Sequence, residues 1–188
     1  MNRASSGFAP RTAVALVVAA ELFGTAVWFS ANAVTADLAR ALGAAPAAIG
    51  WLTGAVQAGF ITGTLALAIS GLADRFRASR VLAASAVLAA FANSALAYAA
   101  MGLADATACR FVTGVALAGI YPLGMKLVVS WRPERAGEAL GWLIGMLTLG
   151  TALPHAVRAA GSVWPWQTVI GASSMLALVA AAIALAVG

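Results

Sequence analysis

The chain has 188 residues, of which 63% are hydrophobic and 9% are charged, and its mean hydropathy is +0.96. Because a soluble domain carries about 25% charged residues, this composition excludes a soluble domain and predicts an integral membrane protein in contact with the lipid bilayer. The formal net charge of +5 does not indicate a nucleic-acid partner, since the positive residues lie in short loops between apolar runs and form no basic face.

Six apolar runs are each long enough to cross about 30 Å of hydrocarbon. They predict a single bundle of six transmembrane helices, here named span 1 to span 6. Their approximate bounds are 11–33, 47–70, 79–100, 104–129, 136–159 and 167–187. Helices are expected because strand-like alternation is absent and a segment in lipid must satisfy its own backbone hydrogen bonds.

The arginines divide between the two ends of the bundle. One side holds the N-terminus, the loop between spans 2 and 3, and the loop between spans 4 and 5. That side carries Arg3, Arg11, Arg75, Arg77, Arg80, Arg132 and Arg135, with Lys126 at the same end of span 4. The other side carries only Arg40 and Arg158. Because clustered Lys and Arg stay in the cytoplasm, we expect a cytoplasmic N-terminus. We expect the membrane to be a bacterial inner membrane.

An internal repeat relates spans 2 and 5. The run Gly50-Trp51-Leu52-Thr53-Gly54 recurs 91 residues later as Gly141-Trp142-Leu143-Ile144-Gly145, and Gly59 and Gly150 keep the same offset. A repeat in which spans 2 and 5 are equivalent is typical of secondary transporters built from inverted halves. The fold class predicted is therefore an all-α membrane protein, with six helices arranged as a three-plus-three inverted repeat.

Glycine recurs at close intervals in spans 2, 4 and 5. The sets are Gly50, Gly54, Gly59 and Gly63; Gly114, Gly119 and Gly124; and Gly137, Gly141 and Gly145. Such positions let helix backbones approach closely in lipid. Two interpretations stay open, static helix packing and helix faces that slide during function.

A polar stripe follows span 1. It comprises Glu21, Thr25, Trp28 and Asn32, at intervals that place all four on one face of a helix. Glu21 lies about 15 Å above Arg11 by helical rise, near the middle of the membrane. A carboxylate at that depth is costly, so we expect it to face a wet cavity, pair with a cation or carry a proton. It is either a proton or substrate site or one member of a structural ion pair.

Candidate partners for this stripe lie on spans 2, 4 and 5. Arg110 is about 10 Å below the outer surface on span 4, and depth alone suggests a Glu21–Arg110 pair. Tyr121 precedes Pro122, which can kink span 4, and Gln57 and Thr148 add polar groups at depth. A tyrosine in this setting either packs or contacts a ligand.

The few reactive side chains argue against an enzyme. The chain has one histidine, His155, and one cysteine, with no clustered carboxylates. These cannot form a metal site or a catalytic triad, so we expect no metal, no cofactor and no enzymatic activity. His155 lies near the outer end of span 5, where it either titrates or simply faces water.

The loop between spans 2 and 3 carries a family resemblance. Asp74-Arg75 matches the D-R of the signature G-x-x-x-D-R-x-G-R-R. Ser70 and Arg77 stand at the two glycine positions of that signature, and its basic pair is displaced to Arg80. Arg110 and Gly114 fit the R-x-x-x-G of span 4. With six spans and a glycine-rich span 5, the whole chain resembles the N-terminal half of a major facilitator superfamily (MFS) transporter.

That resemblance implies secondary active transport of a small solute by alternating access, and Glu21 is a candidate for coupling it to protons. The solute would bind near the midplane between spans 1, 2, 4 and 5. The loop residues Asp74, Arg75, Arg77 and Arg80 would form a cytoplasmic gate, although a plain topogenic cluster explains Arg77 and Arg80 equally well. Because such transporters have twelve spans, a second six-helix half is expected, either a missing C-terminal half or a second copy.

Two alternatives to a transporter half are a non-transporting six-span protein that acts as an assembly or regulatory partner, and a truncated transporter fragment. Arg110 and the scarcity of deep carboxylates favour a small anion or a neutral organic solute. The sequence does not distinguish uniport, symport and antiport.

Overall fold

The computed structural model describes residues 7–161 and 163–188, which are helical with no strand. Six segments are long and apolar enough to cross a membrane. They are Pro10–Val27, Ile49–Ser70, Ala78–Tyr98, Leu103–Trp131, Pro133–Ala160 and Trp166–Val187. The predicted all-α, six-span fold is therefore confirmed, and the predicted bounds of spans 2 to 6 agree within three residues. Arg3 lies outside the described residues.

Span 1 is not the continuous helix predicted over residues 11–33. Its α-helix ends at Gly24, and two 3₁₀ turns, Thr25–Val27 and Asn32–Val34, lead to a short helix over Thr35–Ala41. The Thr25 hydroxyl donates to the Glu21 carbonyl at 2.7 Å, and such side-chain bonds compete with the helical ladder. The break moves the outer part of the polar stripe off a common helix face.

Span 4 is broken as well. Its first helix, Leu103–Ala118, ends at Gly119, and a second helix runs over Tyr121–Trp131. Pro122 lies at the start of that second helix, where its missing N–H removes a hydrogen bond that a continuous helix would require. The interruption predicted from Tyr121-Pro122 is therefore present.

The helix packing shows the symmetry expected of the repeat. The five most extensive contacts pair span 2 with span 4, span 3 with span 6, span 6 with span 1, span 3 with span 4, and span 5 with span 1. Exchanging spans 1, 2 and 3 for spans 4, 5 and 6 reproduces this set, and the exchange also relates the two broken helices. The arrangement is that of a three-plus-three inverted repeat.

The glycines fall into two classes. A Cβ on Gly59 would fall on the Phe111 carbonyl of span 4, and one on Gly150 would fall on the Leu22 carbonyl of span 1. These positions permit close backbone contact between helices, which is the static packing interpretation. Among the glycines within the spans, a second class has nothing within 4 Å of the Cβ position. Its members are Gly50, Gly54, Gly137, Gly141 and Gly145.

The second class lies on spans 2 and 5, which are the least buried helices of the bundle. Within an apolar stretch of 18 residues in each span, 22% of the residues are buried in span 2 and 17% in span 5, against 56% in spans 1 and 4. Trp51 and Trp142, which correspond in the repeat, are both exposed on these helices. Spans 2 and 5 therefore present open, glycine-containing faces in the six-helix bundle.

Ion pairs connect loops at both ends of the bundle. At the end that holds the loop between spans 2 and 3, Lys126 pairs with Asp74 at 2.6 Å. At the opposite end, Arg158 of span 5 pairs with Asp37 at 2.6 Å, and Arg40 pairs with the same carboxylate at 3.2 Å. Lys126 thus lies on the same side as the arginine-rich loop, as the sequence predicts.

Candidate functional site

Arg110 lies in the interior of the bundle and holds the broken part of span 1. Its side chain is fully buried, Nη1 donates to the Val27 carbonyl at 3.0 Å, and Nη2 donates to the Trp28 carbonyl. Once the α-helix ends at Gly24, these carbonyls lack regular helical partners, and a buried carbonyl needs a donor. The guanidinium therefore stabilises the interruption of span 1.

A buried polar network extends from this guanidinium through Asn93 of span 3. The Asn93 amide nitrogen donates to the Ile170 carbonyl at 3.1 Å and to the Ser174 hydroxyl at 3.0 Å. Its amide oxygen accepts from the Ser30 hydroxyl at 2.7 Å and from Arg110 Nη1 at 3.4 Å. The network joins spans 1, 3, 4 and 6. Asn93 was not predicted as a functional residue, although an amide within an alanine-rich span is a usable signal.

Glu21 is buried without a partner. Its side chain is fully enclosed, and neither carboxylate oxygen has a hydrogen-bond partner in the described chain. A Cβ on Gly124 would come within 2.5 Å of Oε2, so the carboxylate occupies the space that this glycine leaves on span 4. Leu143 of span 5 packs at the same place.

The suggested Glu21–Arg110 pair is not formed. Arg110 directs its terminal N–H groups to the span 1 backbone and to Asn93, and no ion pair to Glu21 occurs among the described residues. The prediction was wrong because it assumed an intact span 1, whereas the break creates carbonyl acceptors that bind the guanidinium.

Trp28 and Asn32 also carry unpaired polar atoms. The Trp28 ring packs against Phe60 at 4.9 Å between centroids, but its indole N–H has no acceptor. Asn32 donates to the Thr53 hydroxyl at 2.9 Å while its Oδ1 accepts nothing. Within residues 7–161 and 163–188, the buried side-chain polar atoms without partners belong to Glu21, Trp28, Asn32 and Arg110. Each of these residues was predicted as a site residue, and each unpaired atom lacks the hydrogen-bond partner that a buried polar group normally has.

The remaining predicted site residues differ in exposure. The Thr25 hydroxyl is buried and also lies 3.4 Å from the Leu147 carbonyl of span 5. Gln57 and Thr148 are exposed on spans 2 and 5, and Tyr121 is half-buried on span 4. No hydrogen bond links these last three residues to Glu21 or Arg110 in the part of the chain that is described. His155 is also exposed.

Two cavities lie away from the buried polar residues. One of about 360 Å³ is found between spans 1 and 5, at the end of the bundle that carries the arginine-rich loops, and a shallow groove of about 940 Å³ runs between spans 2 and 4. Neither is lined by Glu21 or Arg110, and both residues are fully enclosed. Of the three alternatives expected for Glu21, neither a wet cavity nor a cationic partner is found among the described residues, where spans 4 and 5 close around the carboxylate. The third alternative, a bound proton, stays a prediction.

The loop between spans 2 and 3 is tied to span 4. Lys126 Nζ donates to the Asp74 carboxylate and to the Ala73 carbonyl, each at 2.6 Å. The hydrogen bond and the charge of Lys126 hold the pKa of the exposed Asp74 carboxyl below its usual value. Gly71 has a φ of +62°, the left-handed conformation that reverses the chain before the short helix Leu72–Arg75. Arg75, Arg77 and Arg80 are exposed beside it.

The fold and its buried polar residues define a class, the helical membrane proteins built from inverted three-helix repeats with interrupted helices in the centre. Residues 16–187 match the family model of the Major Facilitator Superfamily, and the chain belongs to that family. No curated protein matches it. Members of the family are transporters rather than enzymes, so the chain is an integral membrane protein of a family whose general function is membrane transport. The match agrees with the resemblance to one transporter half.

Proposed function

We propose that this chain is one half of a secondary transporter, which carries a small solute across a bacterial inner membrane by alternating access. The observation that carries the proposal is the pair of open faces on spans 2 and 5, which flank the two broken spans. In this proposal a second six-helix half, either a C-terminal half or a second copy, packs over these faces and encloses a solute path.

The open side offers uncharged polar groups for the solute. Gln57 of span 2 and Thr148 of span 5 are exposed, and Tyr121 of span 4 and Asn32 of span 1 are half-buried. Amide and hydroxyl groups recognise small polar molecules by hydrogen bonding. We therefore assign solute contact to these four residues and backbone support to Arg110. Because the four contacting groups are uncharged, the solute class is a small neutral organic molecule.

Glu21 is the candidate coupling residue. A carboxylate enclosed without a cationic partner is expensive while it is charged, and binding a proton removes that cost. Its carboxylate lies against Gly124 of span 4 and Leu143 of span 5, so a change in its charge acts where spans 1, 4 and 5 meet. Proton binding there would bias the packing of the helices that surround the solute path.

The test uses the complete transporter in proteoliposomes with a panel of solutes and an imposed proton gradient. Glu21→Gln should abolish gradient-driven accumulation and flatten its pH profile, while exchange of solute across the membrane without a gradient persists. The matched control is Glu134→Gln, which neutralises an exposed acid in the loop between spans 4 and 5. Accumulation and pH dependence that Glu21→Gln leaves unchanged would overturn the coupling role.

A further inference from the structure

The cavity of about 360 Å³ between spans 1 and 5 combines a charged rim with an apolar wall. Arg11, Arg132, Arg135 and Glu138 form the rim. Val14, Ala15, Val18, Ala139 and Trp142 form the wall. The cavity lies at the end of the bundle that carries the arginine-rich loops, where a membrane protein meets the lipid headgroups. It is separate from the solute residues described above.

The rim keeps an excess of positive charge. Arg135 Nη1 contacts Glu138 at 3.1 Å, and Arg132 Nε contacts Glu134 at 3.5 Å, so each pair occupies only part of a guanidinium. Arg11 forms no ion pair within the described residues. Of the three rim arginines, Arg132 is the most enclosed, with its side chain 13% exposed. The three arginines therefore retain N–H donors for an anion.

Two helix N-termini reinforce this charge. The helix of span 1 begins at Pro10 and the helix of span 5 begins at Ala136, and neither preceding residue caps its helix with a side chain. Uncapped N–H groups and the helix dipoles favour negative charge at these ends. Glu138 already supplies one negative charge in the first turn of the span 5 helix, so the three guanidiniums and the start of span 1 provide most of the attraction for an anion.

We propose that this cavity binds an anionic phospholipid, with the phosphate at the three arginines and an acyl chain along Val14, Val18 and Trp142. A soluble phosphate would use the rim but leave the apolar wall exposed to water, which costs free energy in proportion to its area. Basic pockets between spans on the cytoplasmic side suit lipid headgroups, and tryptophan is typical of that depth. The ligand class is a phosphodiester lipid such as phosphatidylglycerol.

Trp142 supplies a spectroscopic probe within the cavity. The full chain is reconstituted in bilayers that contain acyl-brominated phosphatidylglycerol or acyl-brominated phosphatidylcholine at the same mole fraction. Subtracting the signal of the Trp142→Phe variant isolates the quenching of Trp142 from that of the other tryptophans. We expect this quenching to be several-fold stronger with phosphatidylglycerol. Equal quenching of Trp142 by both lipids would overturn the proposal. This result is expected if an acidic protein segment, rather than a lipid, fills the cavity.

Paired arginine variants provide the matched control. The double variant Arg11→Gln/Arg135→Gln should lose the preference for phosphatidylglycerol, whereas Arg75→Gln/Arg80→Gln, which removes two exposed arginines at the same end, should keep it. An equal loss in both double variants would show only a general surface charge and contradict a defined site. If the first double variant does not fold, Arg11→Gln alone should weaken the preference. Displacement of the lipid by millimolar inorganic phosphate or glycerol phosphate would identify a soluble anion instead and also overturn it.

Discussion

Arg110 shows how a single buried side chain supports an interrupted helix. Its guanidinium reaches across from span 4 to two carbonyls of span 1 and to Asn93 of span 3, and all of these groups are enclosed. Removing it leaves the buried Trp28 carbonyl without a donor, whereas the Val27 carbonyl and Asn93 Oδ1 keep a contact from the Ser30 hydroxyl. A buried acceptor left unpaired costs about 1–3 kcal/mol. The residue therefore stabilises the fold at the place where the proposed solute path begins.

We accordingly expect Arg110→Ala to lower the unfolding temperature of the purified chain strongly, with thermal unfolding in detergent followed by circular dichroism. Arg110→Lys should be intermediate, because an ammonium is a point donor that cannot reproduce the fork of a guanidinium. Arg80→Gln, at an exposed position, is the control and should leave the unfolding temperature unchanged. If the Arg110→Ala variant unfolds at the same temperature as the wild type, Arg110 does not stabilise the interrupted span 1.

The depth of individual residues in the membrane could be predicted from the sequence, whereas their hydrogen-bond and ion-pair partners could not. Helical rise alone placed Glu21 and Arg110 inside the membrane, and both are enclosed there. Their pairing depended on the path of span 1 after Gly24, which tertiary contacts with Arg110 and the Thr25 hydroxyl determine. Periodicity carries no information about such contacts, so the pair was predicted wrongly and Asn93 was overlooked.

The elements divide into closely packed and open surfaces, and glycine occurs on both. Gly59 lets span 2 approach the Phe111 carbonyl of span 4, and Gly150 plays the corresponding part between spans 5 and 1. The motif repeat predicted that these positions are equivalent. It could not separate them from Gly54 and Gly145, because the spacing of glycines is the same whether a neighbouring helix is present or not.

Two alanine substitutions on span 2 distinguish these classes. Gly59→Ala should destabilise the chain by about 1–3 kcal/mol, since its methyl group would overlap the Phe111 carbonyl. Gly54→Ala, on the same helix with open space at its Cβ, should be neutral or stabilise by up to about 1 kcal/mol through helix propensity. Unfolding by denaturant in mixed micelles measures both, and equal effects would contradict the close approach of spans 2 and 4.

Breaks in the helices were predictable where the chain carries a proline and not elsewhere. Pro122 predicts the interruption of span 4, which occurs at Gly119, three residues before the proline. Span 1 has no proline near its break, and its end at Gly24 arises from side-chain bonds and the guanidinium of Arg110. Local signals therefore located one of the two symmetry-related breaks.

At the scale of the whole molecule, the inverted repeat and the open faces of spans 2 and 5 belong together. The symmetry places these two helices on equivalent positions, and both lack a neighbour on one side. A bundle that exposed these faces to lipid would need no polar groups on them, yet Gln57 and Thr148 are found there. The number and order of the spans could be read from hydropathy, but the open faces emerged only from packing.

The accessibility of three engineered cysteines tests this account most directly. Gln57, Thr148 and Phe91 each lie about 20 Å by helical rise from the ends of their spans that carry the arginine-rich loops, and all three are exposed in the six-helix bundle. With Cys109 replaced by Ala, Gln57→Cys and Thr148→Cys in the complete transporter should react with a water-soluble maleimide and be protected by transported solute. Phe91→Cys on span 3 should stay unreactive in lipid. If all three cysteines react equally, or none does, spans 2 and 5 do not border a solute path and the proposed transporter half is contradicted.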